Sequence, residues 1–223
     1  MRMKLFFQAI TRFFLGVLFV GLSIFVPAGS LHYIEGWILM GVLFIPMFCA
    51  GVVLLFRNPE LLKKRLKAKE EQNEQKMVIG LSGLMFVAGF VLAGLHFRFG
   101  WYHLPHWVSR LSLLVFLVAY LLYAEVIREN PYLSRIVEVT EEQKLIDGGL
   151  YGIVRHPMYT VSLLLFLTMP LILGSVHAFL IFLAYPFLIV KRIRGEEKVL
   201  EQELVGYSDY QSRVKYRLIP FIW

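Results

Sequence analysis

Apolar residues occur in long, nearly uninterrupted stretches along this chain, and the polar residues are concentrated between them. A helix that crosses a bilayer needs about 20 apolar residues. The shorter stretches can reach that length through neighbouring residues such as Ile10 and Val126. The start of the chain is also compatible with a secretory signal, but further apolar stretches follow at once, so we expect a retained helix. The pattern predicts four membrane-spanning helices, at residues 13–28, 37–56, 77–97 and 111–124.

A fifth apolar stretch, residues 159–190, is too long for one straight crossing. Its 32 residues would form a helix about 48 Å long, whereas the hydrocarbon core is about 30 Å thick. Near its middle lie Pro170, Gly174 and Ser175, residue types at which helices end or turn. We therefore predict an all-α integral membrane protein, with four transmembrane helices followed by a C-terminal transmembrane helical hairpin.

The basic residues agree with this topology. With the N-terminus and both ends of the hairpin in the cytoplasm, only Arg98 and Arg110 of the 23 Lys and Arg residues lie outside. This is the asymmetry that the positive-inside rule describes. The net charge of +7 is therefore expected to mark the cytoplasmic face of a multi-pass protein of the cytoplasmic membrane, and we expect no nucleic-acid partner.

Composition supports the same class. Hydrophobic residues make up 58% of the chain, against about 45–50% in soluble domains. The single cysteine, Cys49, excludes an internal disulfide. The expected division is a membrane part at residues 1–129 and a functional part at residues 130–223, which includes the hairpin at 157–190. A basic segment at 57–76 carries leucines at helical spacing, so we expect it to lie along the membrane surface without a catalytic role.

Two polar segments flank the hairpin and carry more chemical groups than a connector needs. In the first, residues 130–159, three glycines precede Arg155 and His156. Glycines permit positive φ and close approach of a ligand, but their spacing is not that of a dinucleotide-binding loop. Pro157 suits the first turn of a helix. The hairpin is thus expected to begin there, with Arg155 and His156 at its mouth.

The second polar segment, residues 191–220, places Arg192 and Glu196 four residues apart on one helical face. This spacing fits a simple ion pair, but equally an arginine that grips a carboxylate and a glutamate that accepts from a ligand. Glu197 is turned away from that face by about 100°. His103 and His106 have no further ligand type nearby, so no metal site is expected.

Several motifs in residues 130–223 resemble the isoprenylcysteine carboxyl methyltransferase family, which is related to the phospholipid methyltransferases. They are G-x-Y-x-x-x-R-H-P-x-Y from Gly149, R-x-x-x-E-E from Arg192, G-x-x-x-Y from Gly206 and R-L-I-P from Arg217. The resemblance implies a membrane enzyme that uses S-adenosylmethionine without a Rossmann domain. The first half of the chain matches only as generic membrane helices.

By motif position, the resemblance implies roles for particular residues. Arg192 matches the arginine assigned to the substrate carboxylate, and Arg192 and Glu196 are the expected catalytic pair. Either Glu196 or Glu197 is the cofactor-binding glutamate. The other implied cofactor contacts are Gln143, Lys144, Leu145, Ile146, Tyr151, His156, Pro157, Met158 and Tyr159.

The expected reaction is O-methylation of a carboxylate on a lipophilic acceptor that enters from the bilayer. A carboxylate is already ionised at pH 7, so holding acceptor and methyl group in line can supply most of the acceleration. Amine or thiol acceptors, as in phospholipid N-methylation or small-thiol S-methylation, would first lose a proton. A membrane reductase that uses NADPH is a more distant alternative, and a non-enzymatic scaffold or transporter subunit another.

Overall fold

The computed structural model describes residues 2–66, 73–102, 104–133, 139 and 143–223. Over these ranges the chain forms nine α-helices and no strand. The helices are α1 (Arg2–Ala28), α2 (Ile34–Arg57), α3 (Pro59–Leu66), α4 (Asn73–Phe99), α5 (His106–Glu129), α6 (Pro157–Ile172), α7 (Val176–Phe182), α8 (Tyr185–Glu203) and α9 (Tyr207–Arg213).

Five helical segments are long and apolar enough to cross a bilayer. They are Met3–Ala28, Ile34–Arg57, Gln75–Phe99, His106–Glu129 and Val176–Glu203, the last of which joins α7 and α8. Large apolar side chains on their outer surfaces are exposed, as in Phe14 (61%), Leu121 (73%) and Phe187 (77%). In water such surfaces would aggregate, but lipid covers them. The predicted all-α integral membrane fold is confirmed.

The first four helices extend further than the apolar stretches alone. Helix α1 begins at Arg2 and α5 continues to Glu129, because a helix satisfies its own backbone hydrogen bonds and can carry polar residues beyond the hydrocarbon. The first helix is packed into the bundle, with Ile24 fully buried. Gly94 of α4 permits this contact, since a Cβ there would lie 2.4 Å from the backbone oxygen of Ile24.

The hairpin prediction is confirmed. Helix α6 ends at Ile172, and Gly174 turns the chain with a φ of +70°, a value that favours glycine. Ser175 then caps α7 by accepting a hydrogen bond from the amide of Ala178. Pro170 lies inside the last turn of α6, so the break follows it by a few residues.

The turn of the hairpin lies at the end of the bundle where α1 connects to α2 and α4 to α5. The Tyr33 hydroxyl donates to the Leu173 carbonyl at 2.5 Å, and the Leu104 amide donates to the Gly174 carbonyl at 3.3 Å. The described residues of the two polar segments that flank the hairpin are therefore together at the opposite end. The cytoplasmic location of that end stays a prediction.

Part of the basic segment packs on the protein. Residues 67–72 of it, like His103 in the α4–α5 connection, lie outside the described residues. In α3, Leu61 and Leu62 are only 3% and 6% exposed, so these two leucines do not hold the segment to lipid. That the segment as a whole lies along the membrane surface stays a prediction. Asn58 accepts from the Leu61 amide at 3.1 Å and starts α3 directly after α2, which folds the leucines back onto the protein.

Candidate active site

A cavity of about 510 Å³ lies at the end of the bundle opposite the hairpin turn. This volume is within the usual range for a small-molecule site, about 300–1,000 Å³. The cavity is bordered by α4, α6, α8, α9 and the segment before α6. Most of the residues expected from the sequence line it: Gln143, Lys144, Leu145, Ile146, Tyr151, His156, Met158, Tyr159, Arg192 and Glu196. Pro157 and Glu197 are absent from this lining.

The mouth of the hairpin is tied to the C-terminal segment. The backbone amides of Arg155 and His156 donate to the carbonyls of Tyr216 and Arg217, both at 2.9 Å. Helix α6 begins at Pro157, as the sequence predicts. The Thr160 hydroxyl donates to the Leu218 carbonyl at 2.7 Å. These bonds hold His156 at the cavity edge.

Glu197 is the centre of a buried ion cluster. Its carboxylate accepts from Arg155 Nε at 2.9 Å and from Arg217 Nε at 2.8 Å, and it lies 3.3 Å from His156 Nε2. Arg155 also donates through Nη1 to the carbonyls of Val214 and Lys215, at 2.8 and 3.1 Å. Glu197 is 4% exposed. Its contacts are with the protein, and they fix the mouth of the hairpin.

Glu196 has the opposite orientation. It lines the cavity, where its carboxylate accepts a hydrogen bond from the Tyr159 hydroxyl. That hydroxyl in turn accepts from Arg192 Nε at 2.9 Å. Arg192 and Glu196 thus share Tyr159 as a bridge between α6 and α8, and the i,i+4 spacing aims both at the cavity.

Gln75 at the start of α4 completes this arrangement. Its Oε1 accepts from Arg192 Nη1 at 3.2 Å, and its Nε2 donates to the Arg192 carbonyl at 3.3 Å. Gln75 is 1% exposed. The close approach depends on Gly195, where a Cβ would lie 2.3 Å from Gln75 Nε2.

Gly149 of the glycine loop has a structural role. Gly149 has a φ of +57°, and a Cβ there would lie 1.9 Å from Glu129 Oε1. The amide of Leu150 donates to the same carboxylate at 2.9 Å. The backbone therefore wraps around a side chain of α5, and this positions Tyr151 at the cavity.

Tyr151, Tyr207 and Tyr210 are among the tyrosines that line the cavity. The Tyr151 hydroxyl accepts from Asn130 at 3.0 Å, and Tyr210 donates to the Tyr151 carbonyl at 2.7 Å. The buried Tyr207 hydroxyl has no hydrogen-bond partner within the described residues. Burial raises the pKa of Tyr151 and Tyr207 well above the usual value, so both phenols are neutral donors at pH 7. An orphaned donor of this kind suits a polar ligand atom.

The other part of the cavity is apolar. It is lined by Val78, Ile79 and Phe86 of α4, Phe166 of α6 and Ile189 of α8. Phe86, Phe166 and Ile189 also pack in the hydrophobic core of the bundle. One cavity therefore joins a polar mouth to an apolar interior, with Arg192, Tyr159 and Glu196 among its lining.

Several residues around the cavity were not expected from the sequence. Arg65 of α3 and Gln75 at the start of α4 both lie in the basic segment 57–76, and no spacing links them to the hairpin motifs. Tyr207 directly follows Gly206 of the G-x-x-x-Y motif, and that motif was the available signal for it.

Comparison with known proteins agrees with the family resemblance of the sequence motifs. The sequence profile of the isoprenylcysteine carboxyl methyltransferase (ICMT) family matches residues 110–202. That match begins earlier than the expected residue 130 and ends before the G-x-x-x-Y and R-L-I-P motifs. The mouse Delta(14)-sterol reductase TM7SF2 is 31% identical over 105 residues, which is 43% of this chain and 25% of the reductase. The chain thus spans only about a quarter of that relative.

The fold can be compared over nearly the whole chain. The structure of the eukaryotic intramembrane Ras methyltransferase ICMT superposes with a TM-score of 0.59 at 20% identity, over 99% of this chain and 85% of that one. The likeness includes the first four helices, for which the sequence motifs gave no information. The profile match over residues 110–202 and this likeness of fold together support an assignment to the isoprenylcysteine carboxyl methyltransferase family.

Proposed function

We propose that the protein is a membrane methyltransferase that uses S-adenosylmethionine to methylate the carboxylate of a lipophilic acceptor. Members of the family whose profile matches residues 110–202 are methyltransferases that use this donor. The observation that carries the proposal is the single cavity with a polar mouth and an apolar interior. Such a cavity suits a polar donor at one end and a lipid-tailed acceptor at the other.

The residues at the polar mouth fit the donor. A carboxylate, Glu196, lines the cavity and can accept hydrogen bonds or face a cation. The Tyr207 hydroxyl is buried and without a partner among the described residues, so it can donate. Residues 143–146 border the same space. When bound, S-adenosylmethionine supplies an electrophilic methyl group on a sulfonium ion.

Arg192 is suited to hold the acceptor carboxylate. Its guanidinium is fixed by Tyr159 at 2.9 Å and Gln75 at 3.2 Å, which leaves little freedom to lose on binding. Charge-assisted, two-pronged contacts between arginine and carboxylate are strong and directional. A fixed acceptor gains rate through proximity and orientation. No protein nucleophile or general base is needed for an acceptor that is already anionic.

The match with the sterol reductase favours NADPH binding as the competing function. Purified protein in detergent should bind S-adenosylhomocysteine, measured by calorimetry, and should not bind NADPH. Methyl transfer from tritiated S-adenosylmethionine should label a prenylcysteine analogue through a base-labile ester, and should not label phosphatidylethanolamine or small thiols. Binding of NADPH alone would overturn the proposal, and labelling of an amine or thiol would replace the carboxylate as the acceptor.

The contact between Gly195 and Gln75 provides a test of how Arg192 is positioned. We expect Gly195→Ala to displace the Gln75 amide and to raise the KM for a carboxylate acceptor about tenfold, because a hydrogen bond contributes about 0.5–1.5 kcal/mol. Donor affinity should stay within a few-fold of the wild-type value. Gly80→Ala, at a site of α4 with nothing within 4 Å of the new Cβ, is the matched control.

A double mutant distinguishes positioning from general damage to α8. In a Gln75→Ala background the displaced amide is already absent, so Gly195→Ala should have little further effect on the KM. Equal effects of Gly195→Ala in both backgrounds would show that the loss does not pass through Gln75.

A further inference from the structure

Arg65 of α3 is a partly buried cation at the cavity that the proposed roles leave unused. It lines the cavity together with the polar residues of the mouth. Its Nη2 donates to the Tyr123 hydroxyl, and the guanidinium carbon lies 5.1 Å from the centre of the Tyr123 ring. Its Nη1 is buried and has no hydrogen-bond partner within the described residues.

An unpartnered guanidinium nitrogen is unfavourable in a protein interior. Burying a charged donor without an acceptor is expensive, and the donor is normally satisfied by protein, water or ligand. The contact with Tyr123 satisfies Nη2, whereas Nη1 has no partner within the described residues although the residue borders the cavity. Arginine presents two parallel donors, which match the geometry of a carboxylate.

The other arginines of the lining are differently placed. Arg155 is held by Glu197 and by two backbone carbonyls, and Arg192 contacts Tyr159 and Gln75. Arg65 comes from a different element, the short helix α3 between α2 and α4. The arginines that line the cavity therefore come from α3, from α8 and from the segment before α6.

We propose that Arg65 is a carboxylate-binding residue of this site. The proposal deepens the proposed function and rests on it. Two carboxylates could be the ligand: the amino-acid carboxylate of the methyl donor and the carboxylate of the acceptor. Both carry the same pair of oxygens as acceptors for Nη1. They are distinguished by whether a substitution of Arg65 weakens donor binding or raises the KM of the acceptor.

The test compares two nucleosides on wild-type protein, Arg65→Gln and Arg65→Lys. S-adenosylhomocysteine carries the amino-acid carboxylate, and 5′-methylthioadenosine lacks it. If Arg65 holds the donor carboxylate, Arg65→Gln should bind S-adenosylhomocysteine roughly 10- to 100-fold more weakly and bind 5′-methylthioadenosine unchanged. If it holds the acceptor, both affinities should be unchanged and the KM of a prenylcysteine analogue should rise by a similar factor.

The controls separate this inference from folding and from the proposed function. Lys63→Gln, on the exposed face of the same helix, should change none of these values, and Arg65→Lys should lie between wild type and Arg65→Gln. The melting temperature of each variant identifies unfolding. Unchanged donor affinity and unchanged acceptor KM in a folded Arg65→Gln protein would overturn the role of Arg65 alone. Wild-type protein that binds no S-adenosylhomocysteine would overturn the proposed function.

Discussion

Arg192→Gln should lower kcat/KM for a carboxylate acceptor by roughly 100-fold or more. The substitution removes the charge and the two-pronged donor together, and hydrogen bonds to charged groups contribute about 1.5–3 kcal/mol each. Arg192 also donates to Tyr159 at 2.9 Å, so the Glu196 side chain loses part of its support. We expect the affinity for S-adenosylhomocysteine, measured by calorimetry, to change much less than the acceptor KM.

Arg194→Gln is the matched control for this prediction. It changes the same residue type two positions along α8, at an exposed site that is absent from the cavity lining. Its kinetics should equal those of the wild type. A neutral acceptor would give a second discrimination, because Arg192→Gln should then have a small effect. Equal losses with charged and neutral acceptors would show that Arg192 does not read the carboxylate.

The hairpin could be predicted from sequence because its evidence is local. The apolar stretch at 159–190 has 32 residues and helix-breaking residues near its middle. As one straight helix it would be longer than the bilayer is thick, so it cannot be a single crossing. Pro157 marks the start of α6 in the same local way. Once the hairpin is accepted, the meeting of residues 155–159 with residues 192–197 follows from chain geometry.

The separate roles of Glu196 and Glu197 could not be predicted in this way. Helical periodicity places the two carboxylates about 100° apart, but it does not say which direction faces the cavity. The answer depends on Arg155 and Arg217, which reach Glu197 from two other segments. Contacts between residues that are far apart in the chain cannot be read from the spacing of residues within one helix.

The same limit applies to the first half of the chain. Arg65 reaches the cavity because α3 folds back after α2, and Gln75 reaches Arg192 because Gly195 permits the close approach of α4. The charge and leucine pattern of residues 57–76 favours a surface helix. That pattern gives no sign that single polar residues of the segment contact the site. Tertiary packing decides which of many basic residues in such a segment is turned inward.

Glu197→Ala should destabilise the protein more than any other single change considered for this site. The substitution leaves the buried Arg155 without its carboxylate, and breaking a buried ion pair from one side typically costs about 3–5 kcal/mol. Arg217 and His156 lose the same partner. Because Arg155 also holds the carbonyls of Val214 and Lys215, the C-terminal segment should detach from the mouth of the hairpin.

The measurement is thermal unfolding in detergent, with S-adenosylhomocysteine affinity as the second readout. Glu197→Gln, which keeps the shape but removes the charge, should lose less stability than Glu197→Ala. Glu203→Gln, an exposed carboxylate at the end of α8, should leave the melting temperature unchanged. Donor affinity should fall with Glu197→Gln even below its melting temperature, since His156 loses its anchor at the cavity edge. A Glu197→Ala protein with wild-type melting temperature would mean that the backbone bonds of Arg155 and His156 to Tyr216 and Arg217 suffice to hold the mouth.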